Sequence, residues 1–158
     1  MAKIERKFLA HFVNASATAE PEYERLGKDL EEFSAEVSAQ VESKKNILGQ
    51  TAVAVTGYEK TAAVEPYYAE TGSALFARLQ DIIDRGLVLE DVKTDVVEVK
   101  LWEPDEEGAF PAIKENAYIG ITSYGGDTAG YKIAFTLHFT GEKVMGKFNP
   151  ATKTFTAA

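Results

Sequence analysis

From Phe33 to Glu42 the chain alternates without a break. Phe33, Ala35, Val37, Ala39 and Val41 take one set of positions, and Ser34, Glu36, Ser38, Gln40 and Glu42 take the other. A period of two describes a strand with one apolar and one polar face. A charged tip, Ser43-Lys44-Lys45-Asn46, then Ile47-Leu48-Gly49, leads into a second extended stretch from Thr51 to Val55. The pattern predicts a long β-hairpin over residues 33–56. A strand of about ten residues reaches on the order of 33 Å, well beyond the usual five or six residues. A lone hairpin is marginal in water because each strand buries only one face. This one therefore needs a surface from elsewhere, in its own chain or a neighbour's. Tyr23, Leu26, Leu30, Phe33, Val37 and Val41 also fall at helical spacing, so a helix over 22–42 competes. Gly27 interrupts that helix, and the ten-position alternation is the better match.

The remaining pattern is mostly β. Ile4, Phe8, Leu9 and Phe12 mark a strand or ordered arm between Lys3 and Val13, and the small residues 14–19 read as a flexible connection. Gly57 punctuates the end of the hairpin, Lys60 to Val64 makes a further short strand, and Pro66 ends it. Leu75, Phe76, Leu79, Ile82 and Ile83 then line one face of the best helix in the chain, spanning 72–86. Ser73 or Thr71 can cap its start and Gly86 its end. Val97, Val99 and Leu101 alternate with Glu98, Lys100 and Trp102; Tyr118 to Tyr124 is another strand, broken at Gly125-Gly126-Asp127. Tyr131, Ile133, Phe135, Leu137 and Phe139 give the clearest core strand. Gly141-Glu142 turns into 143–148, and Asn149-Pro150-Ala151-Thr152 turns into a last strand at Lys153-Thr154-Phe155. Seven to nine strands with one packed helix predict a single mainly β domain over 1–158, a two-sheet β-sandwich or barrel.

Composition narrows the function classes. At 158 residues the chain has room for one domain and a real core. It has no cysteine, which removes disulfides, thiolate metal sites and a cysteine nucleophile. No apolar run is long enough to cross a bilayer, and the N-terminus lacks a signal-peptide core, so folding in a cytoplasm is expected. Asp and Glu number 25 against 17 Lys and Arg, a net charge of −8. Such a surface does not grip a phosphate backbone, because that affinity comes from cations displacing counterions.

Candidate chemistry is thin. His11 and His138 are the only histidines and lie too far apart in sequence to form a metal-spaced pair. Asp105-Glu106-Glu107 lacks the spacing of a calcium loop and reads as a solvated acidic turn. Gly120, Gly125, Gly126 and Gly130 do not make a phosphate cradle, and Ser73 has no elbow motif or base near it. The expectation is a protein without catalytic residues, metal or cofactor.

Several stretches, taken in order, carry a resemblance. They are Arg25-Leu26-Gly27-Lys28, Val41 through Gly49, Glu65-Pro66-Tyr67-Tyr68, Leu75-Phe76 through Ile82-Ile83, Thr94 through Val99, and Gly146 through Phe155. Together they resemble the major tail (tail tube) proteins of long-tailed bacteriophages, over about 23–155. The resemblance implies two packed sheets flanked by a helix, assembled as hexameric rings that stack into a virion tail tube conducting DNA during ejection. It implies an inter-ring and inter-subunit contact loop of Glu42, Ser43, Lys44, Lys45, Asn46, Ile47, Leu48 and Gly49, running on to Gln50. Residues 1–20 would be an arm that orders on assembly. Its partners would be copies of itself, then ruler (tape-measure), terminator and baseplate proteins and, in contractile tails, a sheath. DNA would pass through without specific binding, no membrane would be involved, and assembly would take place in the host bacterial cytoplasm. Glu36, Gln40 and Glu42, sharing one polar face, are the residues assigned to the channel. Six copies at −8 would carry −48 per ring, repelling a DNA that bears one charge per about 1.7 Å.

Two other readings remain open from sequence. One is a related ring-forming protein, a tail terminator or secretion-system tube. The other is a small sugar- or peptide-binding module with Trp102, Tyr67, Tyr68 and Tyr124 as its platform.

Overall fold

A computed structural model of the chain describes residues 2–16, 18–28, 30–105 and 107–158. Its strands are β1 (Leu9–Asn14), β2 (Tyr23–Arg25), β3 (Ala35–Lys45), β4 (Thr51–Tyr68), β5 (Lys93–Lys100), β6 (Phe110–Asp127), β7 (Gly130–Asn149) and β8 (Thr154–Ala157). All pair antiparallel in one sheet, in the order β2-β1-β5-β6-β7-β4-β3, with β8 beside the C-terminal part of β7. One helix, α1 (Ala74–Arg85), lies between β4 and β5.

Adjacent rows across four strands show how sequence alternation becomes a core. Ala35, Ala62, Leu137 and Ile119 stand side by side on β3, β4, β7 and β6. The next row is Glu36, Thr61, His138 and Tyr118. Successive residues in a strand point to opposite faces, so the first row faces the core and the second faces outward. On the inner face Val13, Val64, Val96, Phe135 and Leu137 pack with Leu75, Leu79 and Ile82 of α1. Phe76 and Ile83 flank that contact, so all five apolar positions of the helix serve the packing predicted for them.

The helix is fixed at both ends. The Ser73 hydroxyl accepts from the Phe76 N–H at 3.2 Å and donates to the Glu24 carboxylate, which also accepts from the Leu75 N–H at 3.0 Å. Gly86 closes the helix in the left-handed conformation, φ 60°, where a side chain is disfavoured. A second cluster covers the opposite face at the other end of the sheet: Phe12, Tyr23, Val97, Val99 and Phe148. The rings of Phe12 and Phe148 are 4.5 Å apart although β5 and β6 separate their strands. A flat sheet would hold them about 14 Å apart, so the sheet curls strongly here.

Several boundaries differ from the sequence reading. Residues 9–14, expected in an arm, form an interior strand between β2 and β5 with Ala10, Phe12 and Val13 buried. The connection after it is pinned, not loose: Asn14 Oδ1 accepts from the N–H groups of Ser16 and Glu22, and Arg78 donates to the Ser16 carbonyl at 2.7 Å. Met1 and Ala17, within the expected arm, lie outside the described residues. Gly57 and Pro66 do not divide strands; β4 runs through both, accommodating the irregularity as bulges near Val41 and between Val64 and Tyr67. Gly125-Gly126 and Gly141-Glu142 likewise lie within β6 and β7. The helix proposed as a rival over 22–42 is absent, since Tyr23–Arg25 and Ala35–Lys45 are strands.

Ser73→Ala removes the cap and leaves Glu24 with one donor fewer. Helix-cap losses cost about 1 kcal/mol, so the unfolding free energy of the variant from urea titration should fall by that amount, seen as a lower midpoint with an unchanged slope.

Candidate assembly surface

Pairing between β4 and β7 stops at Lys60 and Phe139. Beyond that point β3 and β4 continue as a two-stranded hairpin, from Lys60 out to Thr51, with no third strand alongside among the described residues. At about 3.4 Å per residue the overhang is roughly 30 Å. Its register places Val37, Ala39, Tyr58, Val41, Val55 and Val53 on one face, continuing the inner rows that α1 covers nearer the body. Here nothing covers them: Val37, Val41, Val53, Val55 and Tyr58 are all more than half exposed. The other face carries Glu36, Ser38, Gln40, Glu42 and Lys44. The hairpin is thus an extension of a core-facing surface past the end of the core.

The tip is built by one side chain. Asn46 Oδ1 accepts from the N–H groups of Leu48 at 2.9 Å and Gln50 at 3.0 Å, while its amide donates to Gln50 Oε1 at 2.8 Å. Backbone bonds between Asn46 and Gln50 and from Gly49 to Asn46 close the turn, with Gly49 at φ 77°. Asn at the head of such a turn supplies the acceptor that the reversed backbone needs. The consequence is presentation: Ile47 is fully exposed and Leu48 is 77% exposed, held outward by a satisfied loop. Lys44 lies 3.3 Å from Glu42, and Ser43 and Lys45 are exposed beside it. All eight residues assigned to the contact loop are therefore exposed and contiguous on the hairpin's end.

The root is anchored by charge and aromatic contacts. Lys60 Nζ meets the Glu115 carboxylate at 2.9 Å and sits 4.5 Å from the Phe139 ring centre. Glu115, almost wholly buried, also accepts from the Gly141 N–H. His11, equally buried, pairs with Glu98 at 3.3 Å and packs edge-on against Phe33, the residue leading into β3. The hydrogen bond from His11 holds the Glu98 carboxyl below its usual range; burial opposes this, and the charges of His11, Lys60 and Lys100 reinforce it.

Glu36, Gln40 and Glu42 share the outer polar face, which continues inward through Thr61, Thr136 and His138. His138 is exposed there, on the opposite face from His11. Across the described residues no group of three or more His, Asp or Glu side chains is placed to hold a metal. Among the described residues no helix is long and apolar enough to cross a membrane. The acidic turn is organised by Asp105, whose carboxylate accepts from Lys147 and from the N–H groups of Glu107 and Ala109; Glu106 lies outside the described residues. A concavity of about 490 Å³ beside Arg6, Lys7, Arg25 and Lys28 gathers cations. Those cations already serve the chain: Arg6 donates to the Leu9 and Phe33 carbonyls, Arg25 to the Lys7 carbonyl, and Lys28 pairs with Glu70.

The four aromatics of the binding-module reading do not converge. Tyr67 and Tyr68 are consecutive strand residues on opposite faces; Tyr67 packs on Phe135, and Tyr68 lies under the Lys132 ammonium. Trp102 follows β5 near the Phe110 end of β6, whereas Tyr124 lies near the other end of that strand. Sequence reasoning singled out the hairpin tip but missed two features: the Asn46 lock, legible as an Asn three residues before Gly49, and the root contacts, which unite residues far apart in sequence. Comparison of the sequence with known protein families finds no match, and no curated protein matches the chain.

Two outcomes follow from this geometry. Asn46→Ala should leave the unfolding free energy from urea titration within about 0.5 kcal/mol of the parent, because the tip touches no core. The same variant should expose 44–50 to proteolysis and speed amide exchange at Leu48 and Gln50. Glu98 contributes stability that is complete above the ordinary carboxylate value, about 4.3, and is lost as pH falls through its lowered folded value. Glu98→Gln should therefore flatten the acid side of the stability curve below about pH 4.3, read by chemical unfolding at several pH values.

Proposed function

We propose that this chain is a structural subunit that polymerises through its hairpin into stacked rings, the tail tube of a long-tailed bacteriophage, through which DNA passes at ejection. The observation that carries the reading is the overhang: roughly 30 Å of hairpin without a third strand, whose inner face carries Val37, Ala39, Tyr58, Val41, Val55 and Val53, continuous with the core yet uncovered. Contiguous apolar surface of that kind marks an interaction site. A covering surface from other copies makes the hairpin's alternation intelligible along its whole length.

The outer polar face fits a conduit wall. Glu36, Ser38, Gln40, Glu59, Thr61, Thr136 and His138 stand on one side of β3, β4 and β7. They are small, polar or acidic, and with Lys44, the basic residue of the hairpin's outer face, paired to Glu42, they offer a phosphate chain no continuous basic track. The curled sheet would then divide functionally into a channel-lining part and a second part packed by Phe12, Tyr23 and Phe148, the two-sheet arrangement of tail tube proteins. In this reading the subunit needs no cofactor or catalytic residue. Its partners are its own copies and the ruler, terminator and baseplate proteins of the tail, and its place is the virion.

Negative-stain electron microscopy of the concentrated protein should show rings or tubes. Ile47→Asp combined with Leu48→Asp should abolish stacking while leaving the unfolding midpoint unchanged, since both side chains are outside the core. Normal tubes from that variant would remove the hairpin from the assembly contact. Single rings that never stack would favour a terminator over a tube.

A further inference from the structure

The end of α1, the turn that follows it and the middle of β6 enclose an open apolar trough of about 510 Å³. Its lining includes Ile83, Leu87, Val88, Leu89, Ile121 and Tyr124. Val88 and Leu89 are 64% and 79% exposed, and Tyr124 is 62% exposed. Leu89 is also held at φ 56°, a left-handed conformation that a bulky side chain seldom adopts. A leucine placed in solvent by a disfavoured backbone is hard to explain by the stability of the monomer, and outliers of this kind gather where a surface has a task.

Charge says what the trough would accept. Alternating in sequence with its lining are the exposed carboxylates Asp84, Glu90 and Asp91; Arg85 among them is paired with Asp81, and Glu90 also accepts from the Tyr118 hydroxyl. The hairpin tip has the complementary composition: an exposed apolar pair, Ile47 and Leu48, separated by one residue from Lys44 and Lys45, in a chain whose net charge is −8. Position decides whether the two can meet within one molecule. Lys60 is level with Phe139 and Ala117, and the tip lies beyond them in one direction. Tyr124 is level with Ile133 and Tyr67, in the other direction. Tip and trough therefore sit towards opposite ends of the strand axis, out of each other's reach in one copy. A second copy displaced along that axis presents its tip to the trough of the first, and such a head-to-tail contact repeats indefinitely.

We propose that this trough is the receptor for the hairpin tip of the next copy, with Ile47 and Leu48 seated against Val88, Leu89 and Tyr124, and Lys44 and Lys45 set against Asp84, Glu90 and Asp91. The proposal rests on the assembly reading above and adds the surface that receives the hairpin.

Because the chain has no cysteine, the contact can be read by cross-linking. In assembled protein, Leu48→Cys combined with Leu89→Cys should give a ladder of disulfide-linked multimers on oxidation, reversed by reductant. Leu48→Cys with Val88→Cys guards against a poor angle in the first pair. Tubes that form normally while neither pair yields a ladder would overturn the receptor assignment and leave the assembly reading standing. A wild-type chain that stays monomeric under all conditions would sink both. A charge exchange supplies an independent readout. Lys44→Glu with Lys45→Glu should raise the concentration needed for assembly by about tenfold or more, as like charges face each other. Adding Asp84→Lys and Asp91→Lys should restore it. Assembly of the doubly acidic tip at wild-type concentration, or no recovery on exchange, would count against the pairing.

Discussion

The structure turns on a mismatch of lengths: the apolar inner face of the sheet is longer than the core that covers it. The row Ala35–Ala62–Leu137–Ile119 lies beneath the helix-covered cluster, and the same face runs on through Val37, Val41 and Val55 with neither helix nor third strand above it. Folding alone gains only part of what those outer residues can contribute. Full burial of a valine contributes about 1.5–3 kcal/mol, and on the hairpin, where Val37, Val41 and Val55 stay more than half exposed, much of that contribution is not realised. The root contacts make this tolerable for the monomer. Lys60 with Glu115, and Phe33 with His11, fasten the base of the hairpin so that the outer strands inherit their register from the body.

A preorganised tip changes what association costs. Binding loses affinity to the ordering of loops and side chains, and here much of that ordering is complete beforehand. Asn46 closes the turn with its own oxygen and amide, leaving Ile47 and Leu48 fixed in outline. The valines along the apolar face are β-branched and already restricted at χ1. A surface of stiff residues on a locked turn needs little rearrangement to be covered, which suits a part made once and used in many copies.

Much of this was legible in the sequence, for identifiable reasons. The ten-position alternation after Phe33 survives because a strand with no third partner is governed by its own period, and the helix over 72–86 announces itself through its face and its caps, Ser73 and Gly86. Strand boundaries at Gly57, Pro66, Gly125 and Gly141 were misplaced by local punctuation signals, because long paired strands absorb such residues, beside or within bulges at Gly57, Pro66 and Gly141 and in plain register opposite Lys132 at Gly125. β1 was left open between a strand and an arm for another reason. Its apolar residues face two different clusters, Val13 on one side of the sheet and Phe12 on the other, so no single face stands out. The trough beside α1 was invisible for a third: Leu89 and Tyr124 are far apart in sequence and meet only through the packing of helix on sheet.

β3 is the outermost strand of the sheet, and an exposed edge invites a different kind of association, strand against strand, that ends in aggregates. The hairpin carries devices that weigh against it. A bulge at Gln40 and Val41 breaks the flatness that edge pairing needs, and Glu36, Glu42, Lys44 and Lys45 place charges along the strand. Cross-pairing of two such edges would set these charges beside one another while leaving the valine face as wet as before. Contact through the apolar face covers Val37, Val41 and Val55 and leaves the charged residues of the opposite face, Glu36, Glu42 and Lys44, in water. The arrangement thus separates two uses of one strand, an edge that resists pairing and a face that rewards being covered, and in the proposed assembly it is the face that would direct copies into a stack.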